Sequence, residues 1–183
     1  MSFIAGLQSM IENRWLDSVK TFIEETDIAA TCRRVDFTFN DLHAMFSDNP
    51  RGPQPYLFHF FKSIRHLKKF CDSIIFLEED GNNDVYILCC ELKSSTSTNP
   101  NSDTLMQLRA SELFARFLIE TFQRINPSIT INPKFRCILF NNKVSLKHHL
   151  KPGSPRYVVE GDVQKFLLEK GNSTYRIEEF CCD

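Results

Sequence analysis

The order of apolar and amphipathic segments predicts an α/β fold with a mixed central β-sheet flanked by helices. Three observations predict it. Apolar residues recur at three- and four-residue steps in three stretches, residues 3–26, 56–70 and about 104–123. Two apolar segments, 72–79 and 85–93, flank the turn-forming run DGNND, as in a hairpin. A further apolar segment, 134–140, follows the third helical stretch, so strand, helix and strand occur in succession.

Taken in order, residues 3–26 place Phe3, Ile4, Leu7, Met10, Ile11, Trp15, Val19, Phe22 and Ile23 along one amphipathic helix, with Glu12, Asp17, Glu24 and Glu25 among them. Residues 31–40 alternate weakly and read as a short strand or an extended link. Residues 47–55, SDNPRGPQP, form a loop. The helix over 56–70 has Leu57, Phe60, Phe61, Ile64 and Leu67 on its apolar side and Lys62, Arg65, His66, Lys68 and Lys69 on the other. That cluster is the densest positive patch in the chain. It serves as a solvated face or, if functional, as an edge contacting phosphates through Lys62, Arg65, Lys68 and Lys69.

The segment 85–93, VYILCCELK, is apolar enough to be buried on both faces, as a central strand is. A polar loop over 94–103 leads to Asp103 or Thr104, either of which can cap the next helix. After the strand over 134–140 come a polar, basic loop to residue 155, a strand at 156–160, a short helix over 161–170 and a final strand at 175–180. No repeat is visible, and 1–183 reads as one domain: an N-terminal helix and loop (1–55), a core (56–140) and a C-terminal elaboration (141–183).

Composition narrows the function classes. Hydrophobic residues make up 42% of the chain and charged residues 25%, as in ordinary folded domains, and the 17 Phe point to aromatic packing. No apolar run approaches the roughly 18 residues that span a bilayer. The N-terminus lacks the basic start of a signal peptide, so a cytoplasmic location is expected, with no membrane partner. The 7 Cys include two adjacent pairs but none at zinc-finger spacing, and free buried thiols are expected in place of disulfides, zinc or an iron–sulfur cluster. His148 and His149 are adjacent in a loop, a poor arrangement for chelating one ion. A net charge of −1 argues against indiscriminate nucleic-acid binding, so such contact must use a local patch or a partner. With no GxxxxGK[ST], no triphosphate-cradling loop is present.

The chemistry concentrates at the strand ends. Asp72 opens the first hairpin strand, and Glu91 and Lys93 close the second. Antiparallel pairing brings the start of one strand beside the end of its partner, so Asp72 and Glu91 are expected to be neighbours. Glu91 and Lys93, two apart, share a face, while Leu92 points to the other. Charges at a buried strand end are costly unless paired or bound to metal, and two close carboxylates repel until a divalent cation offsets them. Oxygen ligands suit Mg²⁺ or Mn²⁺. Such an ion acidifies water and offsets charge on a scissile phosphate, and Lys93 would position or deprotonate that water or stabilise developing negative charge.

This pattern resembles the PD-(D/E)xK nuclease superfamily, of restriction-endonuclease-like fold. The matching residues are Asp72, then Glu91-Leu92-Lys93 in ELKSS, then Gln107 in LMQLRAS, where the RecB-type branch carries Gln on the following helix. That branch often has Tyr four residues further on; here the residue is Ser111, and Cys71 stands where the name has Pro. The resemblance covers roughly residues 56–140. It implies Asp72, Glu91, Lys93 and Gln107 as catalytic residues, and Asp72, Glu91 and the Leu92 carbonyl as metal donors. An additional acid is expected from the N-terminal region, with Glu12, Glu24 and Glu25 as candidates. It further implies a Mg²⁺- or Mn²⁺-dependent endonuclease acting on DNA, favoured over RNA only by the resemblance, within a microbial antiviral-defence or DNA-processing system. Members often work beside a sensor, helicase or ATPase subunit, and a homo-oligomer is the other form of assembly. The competing reading is a catalytically inactive module of the same fold, docking partners through its Phe-rich helices.

Overall fold

The computed structural model describes residues 2–13, 15–25, 27–47, 70–79, 83–94, 102–142, 158–160 and 165–181. Residues 56–69 of the helix expected over 56–70, with Lys62, Arg65, Lys68 and Lys69, lie outside them, as do His148 and His149. Strands β5 (Ser73–Glu78) and β6 (Asp84–Lys93) pair antiparallel, with Ser73 opposite Cys90 and Glu78 opposite Val85. From β6 the chain passes through helix α2 (Ser102–Ile125) to β7 (Asn132–Asn141), which lies parallel to β6 over its whole length. A parallel neighbour requires a crossover, and α2 supplies it.

Among the described residues the sheet grows around this centre to seven strands. On one side, β4 (Leu42–Ser47) pairs with β5, and the two-residue β1 (Leu16–Asp17) pairs with β4. On the other, β9 (Lys165–Lys170) runs parallel to β7 and β8 (Val158–Glu160) closes the edge antiparallel to β9. A second sheet of three strands holds β2 (Phe22–Glu24), β3 (Arg34–Thr38) and β10 (Thr174–Arg176). The architecture is therefore α/β with a mixed sheet.

Strand β6 organises the layers because its side chains alternate between two cores. Val85, Ile87 and Cys89 face α1 (Phe3–Met10) and α2, packing with Phe3, Leu7, Leu108 and Phe122. Tyr86, Leu88, Cys90 and Leu92 face the small sheet, packing with Val35, Phe37, Tyr175 and Phe180. The described buried residues of α2 (Thr104, Leu105, Leu108, Ser111, Glu112, Ala115, Leu118, Ile119, Phe122) recur at three and four residues, the spacing of one helix face. None of the described helices is long and apolar enough to cross a membrane.

Three segments differ from expectation. The N-terminal helix ends at Met10, and Ile11 is already extended (φ −115°, ψ 133°). Past it, Asp17 Oδ1 accepts the backbone N–H groups of Val19 and Lys20 at 2.7 and 3.1 Å, a local alternative to helical bonding. Trp15 and Leu16 then enter the helix-side core while Ile23 enters the other, a division one straight helix could not make. The expected helix over 161–170 is instead strand β9 at Lys165–Lys170. There the open ladder of β7 provides backbone partners, and tertiary pairing overrides local propensity. The last expected strand is short: β10 ends at Arg176, and Ile177–Phe180 forms a 3-10 turn with Glu179 Oε1 accepting the Arg176 N–H at 3.2 Å.

Candidate active site

The antiparallel register that pairs Ser73 with Cys90 sets Asp72, one residue before β5, beside Glu91, one residue further along β6. The two acids interlock through the backbone. The Asp72 N–H donates to Glu91 Oε2 at 3.2 Å, and the Leu92 N–H donates to Asp72 Oδ2 at 2.7 Å. Lys93 Nζ lies 2.5 Å from Glu91 Oε1. Glu91 is 2% exposed, whereas the Lys93 side chain is 31% exposed, so the lysine forms the open side of the site. Asp72, Glu91 and Lys93 are therefore together, and the Leu92 side chain points to the opposite core.

Burial governs the electrostatics. Removal from water raises the Asp72 carboxyl to about 6, partly offset by the N–H of Leu92. Burial, then the adjacent Asp72 charge, raises Glu91 to about 8, with Lys93 pulling the other way. For Lys93, burial disfavours the ammonium but the Glu91 carboxylate outweighs it, leaving the pKa above its ordinary value. While Glu91 is ionised, Lys93 is held as a cation, suited to stabilising negative charge.

Gln107 is placed differently. Its Nε2 donates to the Phe70 carbonyl at 3.2 Å, and neither carboxylate accepts a hydrogen bond from it. Ser111, one turn on, accepts the Cys71 N–H at 2.8 Å and donates to the Gln107 carbonyl at 2.9 Å. Of the three N-terminal acids, Glu25 is the one whose charge acts on both Asp72 and Lys93. Glu24 is exposed on β2 opposite Arg34, and Glu12 follows α1, its carbonyl accepting the Trp15 N–H.

Two further groups shape this edge. Ser94 Oγ accepts the N–H groups of Thr31 and Cys32 at 2.8 and 2.9 Å, tying the segment after Glu25 to the end of β6. Asn172, in the left-handed region at φ 53°, accepts from Arg33 and Arg34 and donates to the Thr31 carbonyl. A left-handed Asn between two strand segments was a detectable turn signal; a serine after ExK carries none.

The donor set fits a hard dication. Among the described residues no three or more His, Cys, Asp or Glu side chains are grouped to hold a metal ion. Asp72 and Glu91 supply oxygen donors of the kind a hard dication takes, and an ion held by so few protein ligands keeps several waters. The raised proton affinities are those of buried, adjacent acids, and a dication offsets the same charge that a proton does. Cys89 and Cys90 offer no rival chemistry. Hydrogen bonding to Cys137 and Cys71, with burial, holds Cys89 well above the ordinary thiol value, and burial does the same for Cys90, so both stay protonated and inert. No family model, curated protein or solved structure matches this chain.

Proposed function

We propose that this chain is a divalent-metal-dependent endonuclease of restriction-endonuclease-like, PD-(D/E)xK type. On this reading it hydrolyses DNA phosphodiesters, with RNA as the second candidate, as the effector part of a microbial antiviral-defence or DNA-processing complex. The observation that carries the reading is the interlocked Asp72–Glu91 pair with Lys93 on its open side, at the end of a hairpin that packs on α2. Asp72, Glu91 and the Leu92 carbonyl would hold Mg²⁺ or Mn²⁺. Such an ion, when bound, supplies positive charge against a scissile phosphate and acidifies water. Lys93 stabilises negative charge developing on the phosphate, which its cationic state permits. Glu25 is the N-terminal acid best placed to add charge to the site. A net charge of −1 fits an effector that relies on a partner to reach nucleic acid.

The deciding experiment is cleavage of plasmid and single-stranded DNA with Mn²⁺, comparing the parent with Glu91→Ala and Lys93→Ala. Cutting that stops with EDTA and in both folded variants supports the reading. Variants that cut as well as the parent overturn it. The second reading, an inactive docking module, is favoured by the exposure of Met106, Leu113 and Phe117 along α2. Calorimetry showing no Mn²⁺ affinity, together with light scattering showing an obligate complex, would select it.

A further inference from the structure

Asp72 lies outside the paired residues of β5, so strand pairing alone does not hold it. On its far side it is held by Leu92. On its near side the chain leading into it is gripped by α2 at two consecutive residues. Gln107 Nε2 binds the Phe70 carbonyl, and Ser111 Oγ binds the Cys71 N–H. The Phe70 ring also packs on Phe114 of the same helix, with centroids 5.3 Å apart.

The chemistry of Ser111 suits this task. It is fully buried, and its hydroxyl proton is committed to the Gln107 carbonyl four residues back. Its lone pairs are thereby aimed outward, where the Cys71 amide meets one. Alanine cannot replace that acceptor, and a thiol is a weak one. Because Gln107 contributes both the carbonyl that orients Ser111 and the amide that grips Phe70, the two residues act as one unit.

We propose that Ser111 and Gln107 form a positioning clamp that sets the Asp72 carboxylate against Glu91, so that α2 carries no reacting group but fixes the geometry of the acid pair. This rests on the reading of Asp72 and Glu91 as divalent-metal ligands. Asp72 is one bond along the chain from the clamped Cys71, so releasing the clamp frees the backbone that aims it. Partners of metal ligands typically contribute tenfold or more to metal affinity.

The test is titration of the metal-free full chain with Mn²⁺ by calorimetry, well below its melting temperature. The proteins are the parent, Glu91→Gln, Ser111→Ala, Ser111→Cys and Gln107→Ala, with circular dichroism to establish folding. The parent should bind and Glu91→Gln should not. Ser111→Ala should raise the Mn²⁺ Kd about tenfold or more, with Ser111→Cys between it and the parent. A hydroxyl that merely satisfies a buried amide would lower the melting temperature of Ser111→Ala and leave the Kd of the folded protein unchanged. That result overturns the clamp while the metal reading stands. A parent that binds no Mn²⁺ overturns the metal reading, and the clamp with it. Should Ser111→Ala fail to fold, Gln107→Ala decides alone, since it releases Phe70 from a half-buried position: an unchanged Kd refutes the clamp, a raised one upholds it.

Discussion

Glu91→Gln separates a site built for a cation from an ordinary buried ion pair. The substitution keeps the shape and leaves an oxygen to accept the Asp72 N–H, now at 3.2 Å, but removes a negative charge from a residue only 2% exposed. The carboxyl of Glu91 is raised from 4.5 to about 8. At ~1.4 kcal/mol per pH unit, ionising it inside the fold costs up to about 5 kcal/mol more than in water, and relaxation with water entry reduces this to a few. The raised value already contains the pull of Lys93, and the weaker hydrogen bonding of an amide offsets about 1 kcal/mol of what remains. The metal-free variant at about pH 8 should therefore be as stable as the parent or up to ~2 kcal/mol more stable, a rise in Tm of about 0–8 °C for a chain of this size.

The parent's own pH dependence has a defined sign. A group with a raised folded pKa contributes stability that is complete below its unfolded value and lost as pH climbs through the folded value. For Asp72 and Glu91 that loss runs upward through about 6 and about 8. Metal-free parent should thus melt lower at about pH 8.5 than at about pH 5.5, and saturating Mn²⁺ should reverse the trend; at 100 times Kd it adds ~2.7 kcal/mol. Scanning calorimetry at both pH values, with EDTA or Mn²⁺, reads all of this. If Glu91→Gln melts far below the parent at about pH 8 and Mn²⁺ raises both equally, the acid pair is a structural knot and the reasoning fails.

Three other perturbations test the scaffold, each by urea denaturation. Glu78→Ala removes the carboxylate that accepts the Phe3 and Ile4 N–H groups at 3.1 and 3.0 Å; a loss of about 1–2 kcal/mol is expected, and no loss would mean that the Ser2 cap suffices for α1. Gly6→Ala would put a methyl 2.1 Å from the Phe122 ring, so destabilisation of about 1–3 kcal/mol is expected, and a neutral result would show that the ring yields freely. Asn172→Gly keeps the left-handed turn but loses three hydrogen bonds to the Thr31–Arg34 segment, whereas Asn172→Ala loses those bonds and adds backbone strain. Alanine should therefore be worse than glycine by about 1 kcal/mol, and equal values would remove strain from the account.

The centre of the fold was legible because its signals are local and strong. The apolar run of β6 spans both cores, and the three- and four-residue spacing of α2 survives intact in its buried face. The segment after α1 misled because Trp15, Val19, Phe22 and Ile23 keep helical spacing although the structure uses them differently. Trp15 stacks on Phe46 with centroids 6.1 Å apart, Ile23 lies in the opposite core and Val19 is 82% exposed. Periodicity reports where apolar residues fall; it does not report that a chain turns to serve two layers. β9 failed for a related reason, since the unpaired side of β7 is created by residues some thirty positions earlier.

The site divides along the same line. Asp72, Glu91 and Lys93 follow from strand parity and hairpin register, rules that act over a few residues, and the distances agree with them. The position of Gln107 was readable, but its partner was not, because whether an amide on the first turns of a helix reaches a carboxylate or a backbone carbonyl depends on how close the helix lies. In this protein α2 reaches the backbone at Phe70 and Cys71 before it reaches the acids, and Ser111 completes the contact. A bulkier residue at 111 would have to displace that backbone or leave the core, so the serine and the Phe70–Cys71 course are mutually dependent. The helix and the acid pair therefore constrain one another through two main-chain hydrogen bonds, and the small residue is what permits an approach this close.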